Sequence, residues 1–146
     1  MNIRIMTIND YKEVYALWLS CKGMGLNNLD DSEEGIAKFL ERNPETCFVA
    51  EIDNKIVGVI LVGNDGRRGY IYHTAVHLNY RNLKIATQLV NKAMLALEEI
   101  GIHKVALVVF EDNIVGNAFW EKMGFTVRDD LLYRNFSLTD MVKMNT

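Results

Sequence analysis

Between Tyr70 and Phe110 the hydrophobic period changes twice, and this run narrows the possible folds more than any other part of the chain. Tyr70 to Val76 reads as a strand. Leu83, Ala86, Leu89, Val90, Ala93, Met94 and Leu97 then recur at helical spacing, and Gly101 marks the stop. His103 to Phe110 is almost wholly apolar, the pattern of a strand buried on both faces and paired in parallel. A parallel pair joined through a helix requires a crossover connection. A helix that begins directly after a strand also presents unpaired N–H groups and the positive end of its dipole, which suit a phosphate or pyrophosphate.

The flanking segments extend this unit. Ile3, Ile5 and Thr7 alternate as a first strand, and Tyr11, Val14, Tyr15, Trp18 and Cys21 follow at helical spacing, with Thr7 or Asn9 as cap. Lys22 to Asp30 is a glycine-broken loop that still carries Met24, Leu26 and Leu29. These side chains either line a substrate site or tuck onto the core as a lid. Asp31 or Ser32 opens a second helix that ends near Asn43-Pro44. Cys47 to Ile52 and Ile56 to Val62 read as a hairpin around Asp53-Asn54-Lys55. A short helix from Asn113 to Met123, stopped by Gly124, precedes two expected strands, Phe125 to Arg128 and Leu132 to Leu138.

Residues 1–146 are expected to form a single domain: the chain has one proline, no low-complexity run and no repeat. A net charge of −3 argues against a general nucleic-acid binder. Cys21 and Cys47 do not make a disulfide framework, and no His/Cys/Asp cluster has metal-ligand spacing, so no metal is expected. No apolar run approaches membrane-spanning length, and the N-terminus lacks a signal-peptide core. The expected location is the cytoplasm.

Two segments, Tyr80-Arg81-Asn82-Leu83-Lys84-Ile85-Ala86-Thr87 and Asn113 to Phe125, together with the element order β-α-α-β-β-β-α-β-α-β-β, resemble the GNAT family of acyl-CoA-dependent N-acetyltransferases. The resemblance implies an α/β fold of that family: a central mixed, mostly antiparallel twisted sheet flanked by about four helices. It implies acetyl-CoA as co-substrate and an amine as acceptor. The family pattern Q/R-x-x-G-x-G/A is met by Arg81 and Ala86, while Lys84 stands where glycine is usual. Carried over residue by residue, the resemblance places the pyrophosphate on backbone amides among Arg81, Asn82, Leu83, Lys84, Ile85, Ala86 and Thr87. Thr74, Ala75 and Val76 would pair with the pantetheine arm as an added strand does. Asn113 matches the asparagine that contacts the cofactor, and Phe119-Trp120-Glu121-Lys122-Met123-Gly124-Phe125 resembles the run that carries an aromatic residue toward the acyl sulfur.

Acyl transfer to an amine needs a neutral nucleophile, a polarised carbonyl and a proton for the departing thiolate. Many family members are taken to use a tyrosine where this chain has Trp120, and an indole N–H cannot serve as that acid. The ribosomal-protein branch uses a carboxylate where this chain has Val108. The catalytic candidates are therefore Tyr72 and Tyr70, expected to share a strand face with Thr74 while His73 points away unless a bulge intervenes. Arg67 and Arg68 are either a solvated turn or a clamp for an acidic acceptor. The expected activity is acetyl transfer to a primary amine by direct attack in a ternary complex. The alternative is a module that holds acyl-CoA with little chemistry. A homodimer paired through the C-terminal strands is also open.

Overall fold

The computed structural model describes residues 1–144. A five-stranded sheet runs in the order β1 (Asn2–Ile5), β2 (Phe48–Ile52), β3 (Lys55–Asn64), β4 (Gly69–Val76) and β5 (Val105–Leu107). The first four strands are antiparallel in succession, and β5 joins β4 in parallel, as a crossover demands. Helices α1 (Tyr11–Ser20) and α2 (Glu33–Arg42) cover one face; α3 (Ile85–Glu99) and α4 (Ile114–Lys122) lie against the other. The mixed sheet and its four helices match the expected fold class. Among the described residues no helix is long and apolar enough to cross a membrane.

Each element follows from local chemistry. Asp53 and Asn54 both take positive φ, 52° and 62°, the backbone of a two-residue hairpin turn that their short polar side chains tolerate. Ser32 caps α2, its hydroxyl accepting the Gly35 N–H at 3.0 Å. The strands divide two cores. Val14, Leu17, Trp18, Ile36 and Leu40 pack against Val49, Val59, Leu61 and Ala75 on one side. Ile85, Leu89, Val90, Ala93 and Leu97 pack against Ala50, Val57, Ile60, Val62 and Ile71 on the other. Gly58 is what lets α3 come this close: a β-carbon there would meet Ile85 Cγ2 at 2.9 Å and Leu89 Cδ1 at 3.0 Å.

Three expectations need correction. The strand expected over His103 to Phe110 pairs only at Val105–Leu107, and Val108 and Phe110 are exposed. Its apolar run belongs to a strand with one neighbour, not two. The two C-terminal strands do not form among the described residues: from Phe125 onward the chain is irregular, with a turn at Asp129-Asp130, and pairs only through a single bridge between Asn27 and Lys143. With β5 so short, their alternation has no long edge to pair with, and the free edges of the sheet are those of β1 and β5. Third, Thr74 does not share a face with Tyr70 and Tyr72. Ile60 pairs with Thr74 and Val62 with Ile71, so β4 holds one residue more than β3 between these pairs. This bulge reverses the alternation after Tyr72.

Candidate functional site

β4 and β5 pair only from Gly69 to Ile71. Beyond that point the two strands part, leaving the β4 edge from Tyr72 to Val76 open beside β5. Thr74 and Val76 face the α3 side and Ala75, 5% exposed, faces the α1 side. The Thr74 hydroxyl is buried without a hydrogen-bond partner, an orphan donor beside this open edge. Arg81 turns back from the next loop, its Nε donating to the Val76 carbonyl at 3.3 Å.

The chain then enters α3 through two left-handed residues, Asn82 at φ 69° and Lys84 at φ 59°. Lys84 thus adopts the backbone that the glycine of the family pattern favours; the residue type departs from the pattern and the conformation does not. As the N-cap it makes no side-chain bond to the helix. The first intrahelical bond runs from Gln88 N–H to the Lys84 carbonyl at 3.1 Å, so the amides of Ile85, Ala86 and Thr87 have no helical partner. The Ile85 side chain is buried in the α3 core and offers only its amide, whereas Leu83 is exposed. An open strand edge, an orphan hydroxyl and a run of free helix amides are what a pantetheine arm ending in a pyrophosphate requires, and the residues present fit acetyl-CoA.

Asn113 caps α4: its Oδ1 accepts the Gly116 N–H at 2.9 Å, while its Nδ2 makes no hydrogen bond among the described residues. Trp120 is half-buried, its ring 5.0 Å from that of Phe119 and 5.2 Å from that of Phe125, both edge-on. Both packing and an acyl-facing role are compatible with that position.

On the α1/α2 face, the Tyr70 and Tyr72 rings lie 4.7 Å apart, and Tyr72 meets Phe39 edge-on. Burial pushes the Tyr70 phenol above its ordinary value, with Tyr133 and Tyr72 adding to the effect. Burial also raises Tyr72, with help from the Asp30 carboxylate and Tyr133. Both therefore keep their protons at neutral pH, as a proton donor must. The bulge brings His73 to this same face. Its Nε2 lies 2.6 Å from Asp31 Oδ1, and Trp18 meets the imidazole edge-on.

A hollow of about 510 Å3 is lined by Leu29, Asp30, Tyr133, Phe136, Leu138 and Met141 among others, and two of these, Asp30 and Tyr133, are the groups that act electrostatically on Tyr72. Its wall mixes apolar side chains (Leu29, Phe136, Leu138 and Met141) with polar ones (Tyr133, Asn135, Ser137 and Thr139) and one carboxylate, Asp30. The glycine-broken loop contributes less than expected: Leu26 is fully buried and Met24 packs on the core, so only Leu29 and Asp30 reach the cavity. Nor is the loop loose, since the Asn27 side chain accepts the Leu29 and Asp30 amides and Asn28 accepts Val142 N–H at 2.6 Å. Arg67 and Arg68 lie in a turn closed by Asp65, whose carboxylate accepts both of their amides, and the turn is exposed. A second hollow, of about 580 Å3, lies between β1 and α3, with β2 and β3 separating it from β4. It brings together none of the residues above. Among the described residues no cluster of His, Cys, Asp and Glu could hold a metal ion. Asp31, Asp30 and Tyr133 were not candidates from sequence. Asp31 had a signal, its neighbour Ser32 being the better cap, but the cross-chain partner did not.

A model of the acetyltransferase (GNAT) family matches residues 11–125. The chain is 34% identical over 132 residues to an acetyltransferase of Yersinia pestis, covering 90% of this chain and 92% of that protein. It is equally similar to an acetyltransferase of Sodalis glossinidius over the same span. Among solved structures, Ard1 from Thermoplasma volcanium superposes with a TM-score of 0.78 at 21% identity, covering 87% of this chain and 83% of that one. The PaiA N-acetyltransferase of Thermoplasma acidophilum, solved with coenzyme A, gives 0.77 at 21%, covering 88% and 91%. These two share the fold.

Proposed function

The chain belongs to the GNAT acetyltransferase family, and on that premise we propose that it moves an acetyl group from acetyl-CoA to a primary amine by direct attack in a ternary complex. The observation that carries the reading is the coincidence, within one strand-to-helix join, of the open β4 edge and the free amides of Ile85, Ala86 and Thr87. Those amides hold the pyrophosphate, with the Lys84 ammonium adding charge. The backbone of Thr74 to Val76 aligns the pantetheine arm, and Asn113 and Trp120 close the site from α4. Acetyl-CoA supplies the activated acyl group. Tyr72 or Tyr70 supplies the proton that the leaving sulfur needs.

The acceptor enters by the cavity at Leu29, Asp30 and Phe136. Apolar side chains interleaved with hydroxyl and amide groups around a single carboxylate suit an amine carried on an amphipathic body, the carboxylate meeting the ammonium. The working location is the cytoplasm. The alternative, a module that holds acyl-CoA without turnover, rests on Trp120 and Val108 standing where relatives place an acid and a base, and on Lys84 standing where they place a glycine. Free thiol release from acetyl-CoA against an amine panel decides between them. Apolar primary amines are expected to give release well above hydrolysis. Tight acetyl-CoA binding with no release for any amine would establish the module instead.

A further inference from the structure

We propose that the outer edge of β1 and the hollow between β1 and α3 form the interface of a two-fold homodimer, with a second copy of this chain as the occupant. The surface lies at the far end of the sheet from β4 and β5, and the inference stands apart from the transfer reading. β1 is an outer strand, paired on one side only. Met6 N–H donates to the Cys47 carbonyl at 2.9 Å, so the bonds toward β2 fall on the even residues. Ile3 and Ile5 therefore turn their N–H and C=O groups outward. Arg4 Nη1 touches one of these four groups, the Ile5 carbonyl, at 3.2 Å. The Ile3 and Ile5 side chains stand on the α3 face beside the buried Phe48. They floor a hollow of about 580 Å3 whose wall includes Leu95, Ala96 and Ile100. Ile5, Leu95 and Ile100 are 44%, 53% and 43% exposed, so large apolar side chains gather beside an unpaired strand edge.

Charge and symmetry select the occupant. Lys92, Leu95, Ala96 and Glu99 share one stripe of α3 along the hollow, with Lys92 and Glu99 at equal spacing on either side of the Leu95-Ala96 pair. Neither makes an ion pair among the described residues, and seven residues set them about 10 Å apart along the helix, beyond the usual helical pair. A two-fold axis normal to the sheet pairs β1 antiparallel with its mate and leaves the two α3 helices antiparallel on the same face. Across the joined hollows, Lys92 then faces Glu99 of the partner subunit, and Glu99 faces Lys92 of the partner subunit. The patch is isologous, and its charges answer each other twice. The same symmetry fixes the register. Paired residues share a face, so within the middle of the strand the axis passes through Ile3 or through Arg4. At Arg4 it sets two guanidinium groups directly opposite, which is unfavourable. At Ile3 it sets Ile3 against Ile3 of the partner subunit and Arg4 against Asn2 of the partner subunit. The two sheets become one, while the open β4 edge and the start of α3 stay clear.

The test is the oligomeric state of the full chain. Sedimentation equilibrium is expected to show monomer and dimer in exchange. Lys92→Glu and Glu99→Lys are each expected to raise the dimer dissociation constant by about 10-fold, since each reverses two contacts across the axis. The double variant is expected to return to within about 3-fold of wild type, because the two reversals restore each other's partner. Both positions are exposed, and melting of each variant confirms that it folds. Hydrogen exchange gives a second readout: the outward amides of Ile3 and Ile5 are expected to slow as protein concentration rises. A chain that stays monomeric overturns the proposal. So does a dimer that neither single reversal weakens, one that the double variant does not rescue, or one in which the Ile3 amide exchanges as freely as in the monomer. Association is read without acetyl-CoA or an amine, so failure of the transfer reading leaves this result standing.

Discussion

Lys84 keeps a β-branchless but bulky side chain in a left-handed backbone, where a β-carbon crowds the neighbouring carbonyl at a penalty of about 1–2 kcal/mol. Lys84→Gly removes that crowding and the positive charge together. It is expected to raise the melting temperature by roughly 2–4 °C, with little loss of acetyl-CoA affinity, because the amides remain. Ala86→Phe, by contrast, places a ring in the first turn of α3 and should weaken acetyl-CoA binding far more than Lys84→Ala; calorimetry of the three variants separates backbone binding from charge. The two tyrosines make a different prediction. Tyr72→Phe should lower kcat by about 10²–10⁴-fold if its phenol is the donor, with acetyl-CoA affinity unchanged, whereas Trp120→Phe should keep substantial turnover. Near-normal kcat in both Tyr72→Phe and Tyr70→Phe would hand the proton to water.

At the scale of elements, β1 is tied to the start of α1 by charge. Arg4 donates to both oxygens of Asp10, at 2.9 and 2.7 Å, and to Glu51 on β2 at 2.8 Å, and Asp10 also accepts the Thr7 N–H. Burial alone would raise the Asp10 carboxyl; the Arg4 hydrogen bonds and the Thr7 amide outweigh it and hold the group below its usual range. A carboxyl depressed in the folded state contributes stability that is present above its unfolded pKa and is lost as pH falls through the folded value. Urea unfolding between pH 6 and pH 3 should therefore show an acid loss that Asp10→Asn reduces, while lowering stability at pH 6. The elements themselves were largely legible. The period of α3, the hairpin at Asp53-Asn54 and the crossover to β5 are written in short-range patterns. The bulge was not, because it exists only in the register of β4 against β3. The C-terminal strands misled for a related reason: Phe125, Val127, Leu132 and Phe136 alternate well enough for a strand, yet alternation says nothing of whether a partner edge is long enough.

Across the whole molecule, the hollow proposed for the acceptor is made by two distant pieces of chain. Leu29 and Asp30 supply one wall and residues near 133–141 the other, and the second wall is laced to the first through Asn28 with Val142 and through Leu26 with Met144. Asn28→Ala cuts one of these ties at an exposed position. It should speed hydrogen exchange of the Val142 amide and raise KM for the amine several-fold, while acetyl-CoA affinity stays unchanged, since the strand-to-helix join is untouched. In the wild type, acceptor binding should protect residues near 29–30 and 133–141. Protection confined to Arg67 and Arg68 would move the acceptor to that turn. The strand-to-helix join from Thr74 to Thr87 was legible in sequence because it is a contiguous run. The hollow proposed for the acceptor was not, because it joins positions more than a hundred residues apart.

The extra residue in β4 constrains insertion and deletion in this strand. Counting along the strand, odd and even positions exchange meaning at residues 72 and 73, so the segment from Thr74 to Val76 and the segment that anchors to β5 obey opposite parities. Removing one residue there would swap the faces of Thr74, Ala75 and Val76 in a single event, sending the small Ala75 toward α3 and the neighbouring bulk toward α1. Side chains at 72 and 73 can change without disturbing the strand, but the count between Ile71 and Thr74 must stay as it is for Thr74, Ala75 and Val76 to keep their faces.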